Sequence, residues 1–498
     1  MQKRDNKTLF SQVAPARLFF IAAIPGALGM LASSLYQLLD GIMVGQFLGD
    51  TAFAAVNLAM PFVIINFSIA DLIGVGSSVL ISHSLGRKED ATANNIFTCA
   101  CIAIVASGAA LGVVLFAAAP GLLRLMGADG QLLEDGVQYM RVYALCSPVT
   151  TIIFAVDNYL RVCGMIKGSL VMNVAMSVLC VGLEFLFLFV CKWGIWAAAL
   201  GTALGMMVCA VAAFVPFFAR KLCLKFCRPK FNLSMIRRTI SCGAPNFLNN
   251  VAARITSIFM NMLLLRFGGE TAVSIYGVLM YAEGFVQPLM YGTCDSLQPA
   301  IGFNWGAGDV KRTFAISRYC LSACAIVSVA AAVLMLLIPE QLTSLFLENP
   351  DPSVLETARV AVRIFALTYF VRWVSFAAQS FFLAIGKSVQ ASILSVSVAL
   401  VVPLLLIGAF YPLELTGLWL NTPVTAAVVG ALAVVLFAAF MRNLRKKPPF
   451  GVAAAPAATA AAPDTQSCAG GDTAPTRGAP AGDGQETAAA TAPDGREI

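Results

Sequence analysis

Apolar residues in this chain come as long unbroken runs separated by short polar or basic segments, with neither the two-residue alternation of half-buried strands nor a single narrow helical stripe. The runs recur from Leu18 to the stretch before Arg442, and each has about 20 or more residues, enough to cross a hydrocarbon core of roughly 30 Å. In lipid every backbone amide needs a partner within its own segment, so these runs predict transmembrane helices. Six fall at 18–47, 53–82, 96–119, 137–162, 168–191 and 194–219, and six more at 240–267, 272–302, 314–338, 356–385, 391–411 and 416–441. The fold class expected is an all-α integral membrane protein of twelve helices.

Composition strengthens this picture. The chain is 59% hydrophobic and 12% charged, against about 45–50% apolar and 25% charged in soluble domains, which excludes a water-soluble protein. Lys and Arg concentrate in alternate connecting segments: Lys3, Arg4, Lys7 and Arg17, then Arg87 and Lys88, Arg161 and Lys167, Lys311 and Arg312, Lys387, and Arg442 to Lys447. A long loop with Arg220, Lys221, Lys225, Arg228, Lys230, Arg237 and Arg238 falls in the same set, whereas the other set holds little beyond Arg124, Lys192 and Arg266. Basic residues are retained in the cytoplasm, so both termini are expected there. The amino-terminal segment has no small-residue cleavage site after its apolar core and is expected to be a retained first helix. From 443 to 498 the chain turns to Ala, Pro, Thr and Gly, a composition expected to form a disordered cytoplasmic tail.

Displaced by 220 residues, the sequence repeats itself: Pro25 meets Pro245, Leu28 Leu248, Gly49 Gly269, Thr51 Thr271, Met60 Met280 and Gly86 Gly306. A displacement of 222 then pairs Arg141 with Arg363, Phe154 with Phe376 and Gly164 with Gly386. This predicts a cytoplasmic segment 1–17, a six-helix bundle 18–219, a basic linker 220–239, a second bundle 240–442 and the tail. With an even number of spans in each half, the two bundles are related by a pseudo-twofold axis along the membrane normal.

Charges inside spans are costly, by about 2.5–3.5 kcal/mol at the bilayer centre, and so nominate functional groups. In the first span Ser33, Tyr36, Gln37 and Asp40 share a face; in the fifth, Asn173, Ser177, Cys180 and Glu184 do so. Asp40 lies nine residues before Gly49 and Glu184 eight before Lys192, so both acids stand roughly 12 Å below the outer helix ends, at about 1.5 Å per residue. A shared cavity is expected. The repeat duplicates neither: Met260 stands opposite Asp40 and Leu406 opposite Glu184. Asp71 continues a polar stripe from Asn57 through Ser68, and Asp157 beside Arg161 is expected at the interface. In the second half Asn246, Asn250, Arg254, Ser257 and Asn261 share one face, and Glu283 and Gln287 another. Two readings of Glu283 stay open: a contact for cationic cargo, or a counter-charge for Arg254 or Arg372.

The fourteen cysteines form neither a disulfide framework nor a metal-ligand pattern, and His83 is the single histidine. No glycine-rich phosphate loop and no assembled nucleophile is present. The protein is expected not to be an enzyme, to need no cofactor, and to draw its energy from an ion gradient.

The strings GDTAFAAVNLAMPF and GSSVLISHSLGRKED, with QPAIGFNWGAGDVKR, SFFLAIGK and GLWLNTP in the second half, resemble the multidrug and toxic compound extrusion (MATE) family in its bacterial MepA-like branch. The resemblance spans about residues 14–442 and rests on the order of the strings together with the duplication. It implies a cation-coupling role for Asp40, with Tyr36, Asn158 and Thr202 as companions in an amino-terminal cavity. Where the family carries Asn and Asp in the fifth helix, this chain has Cys180 and Glu184. Loss of a hard oxygen donor weakens a sodium site at Asp40 and favours protons.

The cavity residues expected in the first half are therefore Tyr36, Gln37, Asn57, Asp71, Asn158, Ser177, Cys180 and Thr202 around Asp40 and Glu184, with Asn250, Arg254, Met280, Glu283 and Gln287 as substrate contacts in the second. The function expected is antiport, in the bacterial inner membrane, of organic cations against protons or sodium by a monomer without nucleic-acid partners. Two neighbouring carboxylates in a poorly solvated cavity cannot both stay ionised cheaply, so external protons displace the bound cation outward. Two other readings are a flippase for lipid-linked saccharides, with Arg254, Arg363 and Arg372 meeting a phosphate, and a non-transporting receptor or scaffold.

Overall fold

The computed structural model describes residues 6–344 and 352–446. Among the described residues a short helix, Asn6–Gln12, precedes twelve long ones. These are α1 (Pro15–Leu48), α2 (Asp50–Gly86), α3 (Asp90–Leu125), α4 (Gly130–Val162), α5 (Ile166–Val190) and α6 (Ile195–Phe218). The second set is α7 (Leu233–Gly269), α8 (270–306), α9 (Val310–Leu337), α10 (Pro352–Ala384), α11 (388–410) and α12 (Glu414–Lys446). Among the described residues ten helical stretches are long and apolar enough to cross a membrane. The last of them, Ser388–Lys446, contains both α11 and α12, and the more polar α8 completes twelve.

Expected boundaries shift where a cap or a polar turn extends a helix. Asn232 caps α7 through a 2.9 Å bond from the Ser234 amide, so the helix starts before the expected 240 and takes in Arg237 and Arg238. The last helix runs to Lys446, and the tail expected from 443 lies outside the described residues from 447 onward.

The turns between α1 and α2 and between α7 and α8 each hinge on a glycine of the repeat, Gly49 at φ 86° and Gly269 at φ 62°. Other residues resist this left-handed conformation by roughly 1–2 kcal/mol.

The halves pack against each other near the face that bears the chain ends. There Gly26 of α1 faces Ser296 and Gly292 of α8, and Gly292 lies on the backbone of Ala27. In the same way Gly76 of α2 abuts Thr239 and Gly243 of α7, and Gly243 lies on Leu72. Further toward that face a Cβ on Gly86 would collide with the Phe303 carbonyl, and one on Gly306 with the His83 carbonyl. These last two contacts exchange under the 220-residue displacement, as a twofold relation between the halves requires. The buried apolar side chains agree. One large cluster joins both halves through Phe19, Val79, Leu85, Leu297, Ile301 and Phe303. A separate one, around Val44, Ala55, Val63, Tyr139 and Ile195, belongs to the far end of the first half alone. Toward the far face the halves therefore stand apart, with a cleft between them.

The amino-terminal segment ties the halves together at the closed face. Phe10 is buried, its ring centroid 5.8 Å from that of Phe303. Its carbonyl accepts from Arg312 Nε at 2.8 Å and from Asn304 Nδ2 at 3.1 Å, and the Val13 carbonyl accepts a further bond from Arg312.

Candidate functional site: a buried carboxyl pair beside an interlobe cleft

Asp40 and Glu184 come together. On α1 the residues facing α5 follow from Gly29, which packs on Asn173 and Leu170, and Asp40 lies on that side at helical spacing. On α5, Glu184 and Cys180 are brought close to α6 because Gly201 and Gly205 present no side chain: a Cβ at either would stand 2.7–2.8 Å from Glu184 N or Cys180 Sγ. Asp40 is 5% exposed and Glu184 fully buried, with their carboxyl groups close enough for a proton on one to hydrogen-bond the other. Thr202 of α6 donates to Asp40 Oδ1 at 3.4 Å, and the Cys180 thiol lies 3.5 Å from the Thr202 carbonyl. Both Glu184 oxygens are buried with no donor. Among the described residues no Lys or Arg pairs with either acid. Just beyond Glu184, α5 widens into a π-helical turn over Leu186–Val190, a local irregularity common at functional sites.

Aromatic hydroxyls close the chamber. Tyr36 stands beside the pair, as expected, and Tyr139 and Tyr143 of α4, with ring centroids 5.2 Å apart, complete the wall. Tyr139 was not among the expected site residues. The i, i+4 spacing of two tyrosines in an apolar helix was the available signal, but it did not say which helix faces Asp40.

Other expected members make contacts of their own. Gln37 is exposed and sits about 60° around α1 from Asp40, at roughly 100° per residue, on the side that bears Gly26 and so on the cleft. Asn57 is exposed and donates at 3.0 Å to the Phe53 carbonyl of its own helix. Asn158 and Ser177 likewise bond their own helices, to the Phe154 and Asn173 carbonyls at 3.1 and 2.9 Å. Asp71 is not in this chamber: it faces Asn246 and Asp295 of the other half, because α2 crosses α7 and α8 at that depth. Asp295 in turn accepts from Ser380 and Gln298, each at 2.7 Å.

Asp157, expected at the interface, is buried in a closed network. It pairs with Arg161 at 2.5 Å and accepts from Ser169 and from Asn173 Nδ2, the latter at 2.8 Å. Asn173 therefore leaves the stripe that leads to Glu184. Glu283 pairs with Arg372 at 2.5 Å, both side chains about four-fifths buried, which is one of the two counter-charge contacts expected of it. Met280 and Gln287 are half-buried nearby, and Gln287 lies 3.5 Å from the Tyr291 hydroxyl. Asn250 and Arg254 are exposed on α7.

Two Staphylococcus proteins are similar over most of the chain. The multidrug export protein MepA of Staphylococcus saprophyticus is 24% identical over 435 residues, covering 84% of this chain and 93% of that protein. MepA of Staphylococcus aureus strain MSSA476 is 24% identical over 411 residues, 81% and 90% of the two chains. Among solved structures, a MATE protein in complex with MaL6 superposes with a TM-score of 0.84 at 21% identity, over 90% of this chain and all of that one. A multidrug resistance MATE family transporter in an outward-facing conformation gives the same TM-score, identity and coverage. The family profile described as MatE matches twice, at residues 25–186 and 245–407, once in each half and over more than half of the chain. The chain therefore belongs to the MatE family.

Proposed function

We propose that this chain is a multidrug exporter in which entry of protons at the Asp40–Glu184 pair drives expulsion of amphiphilic organic cations through the cleft. It is a transporter rather than an enzyme, and as in its family an ion gradient rather than a cofactor supplies the energy. The observation that carries the proposal is the pair itself: two buried carboxyl groups, four oxygens and, among the described residues, one hydroxyl donor and no Lys or Arg counter-charge. An unpaired buried charge is far costlier than a neutral group, so the pair holds a proton or a cation. Protons suit the donor set better than sodium, since the thiol of Cys180 stands where a hard oxygen donor would be needed.

In the closed-face state the pair is reached from the far face past Gln37. Positive-inside charge placement makes that face external, so protons enter from outside. Neutralising the pair removes its attraction for a cationic cargo, which leaves outward, and the neutral halves can rock to open the terminal face. Each elementary charge moving inward gains roughly 2.3 kcal/mol per 100 mV of membrane potential, enough for more than tenfold accumulation of cargo.

The test is ethidium movement in inverted vesicles, with pH and sodium gradients imposed separately. The pH gradient alone should drive wild-type transport, and Asp40→Asn should reduce driven transport at least tenfold while inserting normally. Undiminished driven transport in that variant would remove Asp40 from the mechanism; drive by sodium alone would replace the proton.

A further inference from the structure

The cleft walls carry a charge opposite in sign to the buried pair. On α7, Gly243 and Asn246 touch α2 of the first half, and Asn250, Arg254, Ser257 and Asn261 continue the same side of the helix within about 80°, at roughly 100° per residue. Between Asn250 and Leu265 the remaining exposed arc of α7 is apolar, with Ile255, Ile258, Met262 and Leu265 between 39% and 64% exposed, as a lipid-facing surface should be. Over the same stretch Asn250, Arg254 and Asn261 are the exposed polar side. Arg254 therefore projects into the cleft, about 12 Å beyond the point where α7 meets α2, at roughly 1.5 Å per residue.

On α8 the side that meets Ala27 through Gly292 continues outward to Phe285 and Tyr281, which are 39% and 48% exposed. Gln37 lies eleven residues beyond Gly26 on α1, as Tyr281 lies eleven beyond Gly292 on α8, so the two stand level across the cleft. Among the described residues no acid pairs with Arg254: Glu283 is bound to Arg372, Asp157 to Arg161, and Asp71 faces Asn246 and Asp295.

We propose that Arg254, flanked by Asn250 and Asn261 and with the aromatic rings of Tyr281 and Phe285 on the neighbouring wall, forms an anion-recognising subsite. It takes the carboxylate of a flat amphiphile whose cationic end is drawn to the Asp40–Glu184 side, which makes zwitterions preferred cargo over simple cations. A guanidinium donates two parallel bonds to a carboxylate, and charge-assisted bonds are the strong ones. The subsite deepens the drug-export reading above and rests on it.

Binding to the purified full-length protein tests the subsite separately from transport. The probes are a carboxylate-bearing quinolone with a basic amine and its methyl ester, which keeps the ring and the amine but loses the negative charge. Wild type should bind the acid roughly tenfold or more tightly than the ester, as one charge-assisted contact implies. Arg254→Gln should remove that preference, and Arg254→Lys should retain part of it, with melting curves verifying that both variants are folded. Equal affinity of acid and ester for wild type overturns the proposal, a comparison that needs no variant. Survival of the preference in folded Arg254→Gln overturns it too. If the acid is preferred but wild-type vesicles export neither the quinolone nor ethidium, the export reading fails and the subsite stands.

Discussion

Apart from a proton shared with Asp40, both oxygens of Glu184 meet no donor and no Lys or Arg among the described residues, so its substitution separates stability from coupling. Glu184→Gln replaces a group that is buried without a counter-charge by a neutral one of the same shape. The variant should melt within about 1 kcal/mol of wild type at neutral pH, since a pair that already holds a proton exchanges one neutral buried group for another of the same shape. Its pH-driven ethidium transport should fall to background. A lower melting temperature in thermal unfolding would show that Glu184 is held by partners and is no free acceptor. Sequence reasoning could reach Asp40 and Glu184 because acids in apolar spans stand out without any knowledge of packing. It could not reach Tyr139, whose role depends on which side of α4 meets α1. Nor could it separate Asp71 from the first-half chamber, because helical phase on α2 does not say which neighbour lies opposite.

Among the helices, the tightest crossings between the halves depend on residues without side chains. Gly306→Val would drive a branched side chain into the backbone at His83, and a valine there cannot be absorbed by rotating a side chain. The closed terminal face should open: spin labels placed on α2 and α8 at that face should move apart in a distance measurement, and an unchanged distribution would show that the contact does not hold the face shut. Arg312 offers a second handle. It holds the carbonyls of Phe10 and Val13, and a hydrogen bond to a charged group contributes about 1.5–3 kcal/mol. Arg312→Ala should lower stability by about 2 kcal/mol and expose the amide of Phe10 to hydrogen exchange; protection unchanged at the amino-terminal segment would count against the tie. The repeat announced Gly86 and Gly306 as a pair in the sequence, but their mutual packing on His83 and Phe303 required both halves in place.

For the whole molecule, closure at one face and separation at the other has a direct consequence for access. In a background without native cysteines, Gln37→Cys and Asn250→Cys should react with a membrane-impermeant thiol reagent added from the far face, whereas Ser82→Cys, buried between α2 and α8, should not. Equal reactivity of all three would contradict a cleft that ends at the α1–α8 and α2–α7 crossings. The sequence alone determined the twelve spans, the duplication and the two acids, because each rests on a local or periodic property: apolar run length set by the bilayer, residues recurring at a fixed displacement, and charge where charge is costly. Only the tertiary structure decided which polar groups meet. It put Glu283 on Arg372 and Asp71 against the other half, buried Asp157 in its own network, and left Arg254 with no acid partner among the described residues. Partnership between side chains depends on how helices cross and rotate against one another, and many pairings of the same helical stripes satisfy the same sequence.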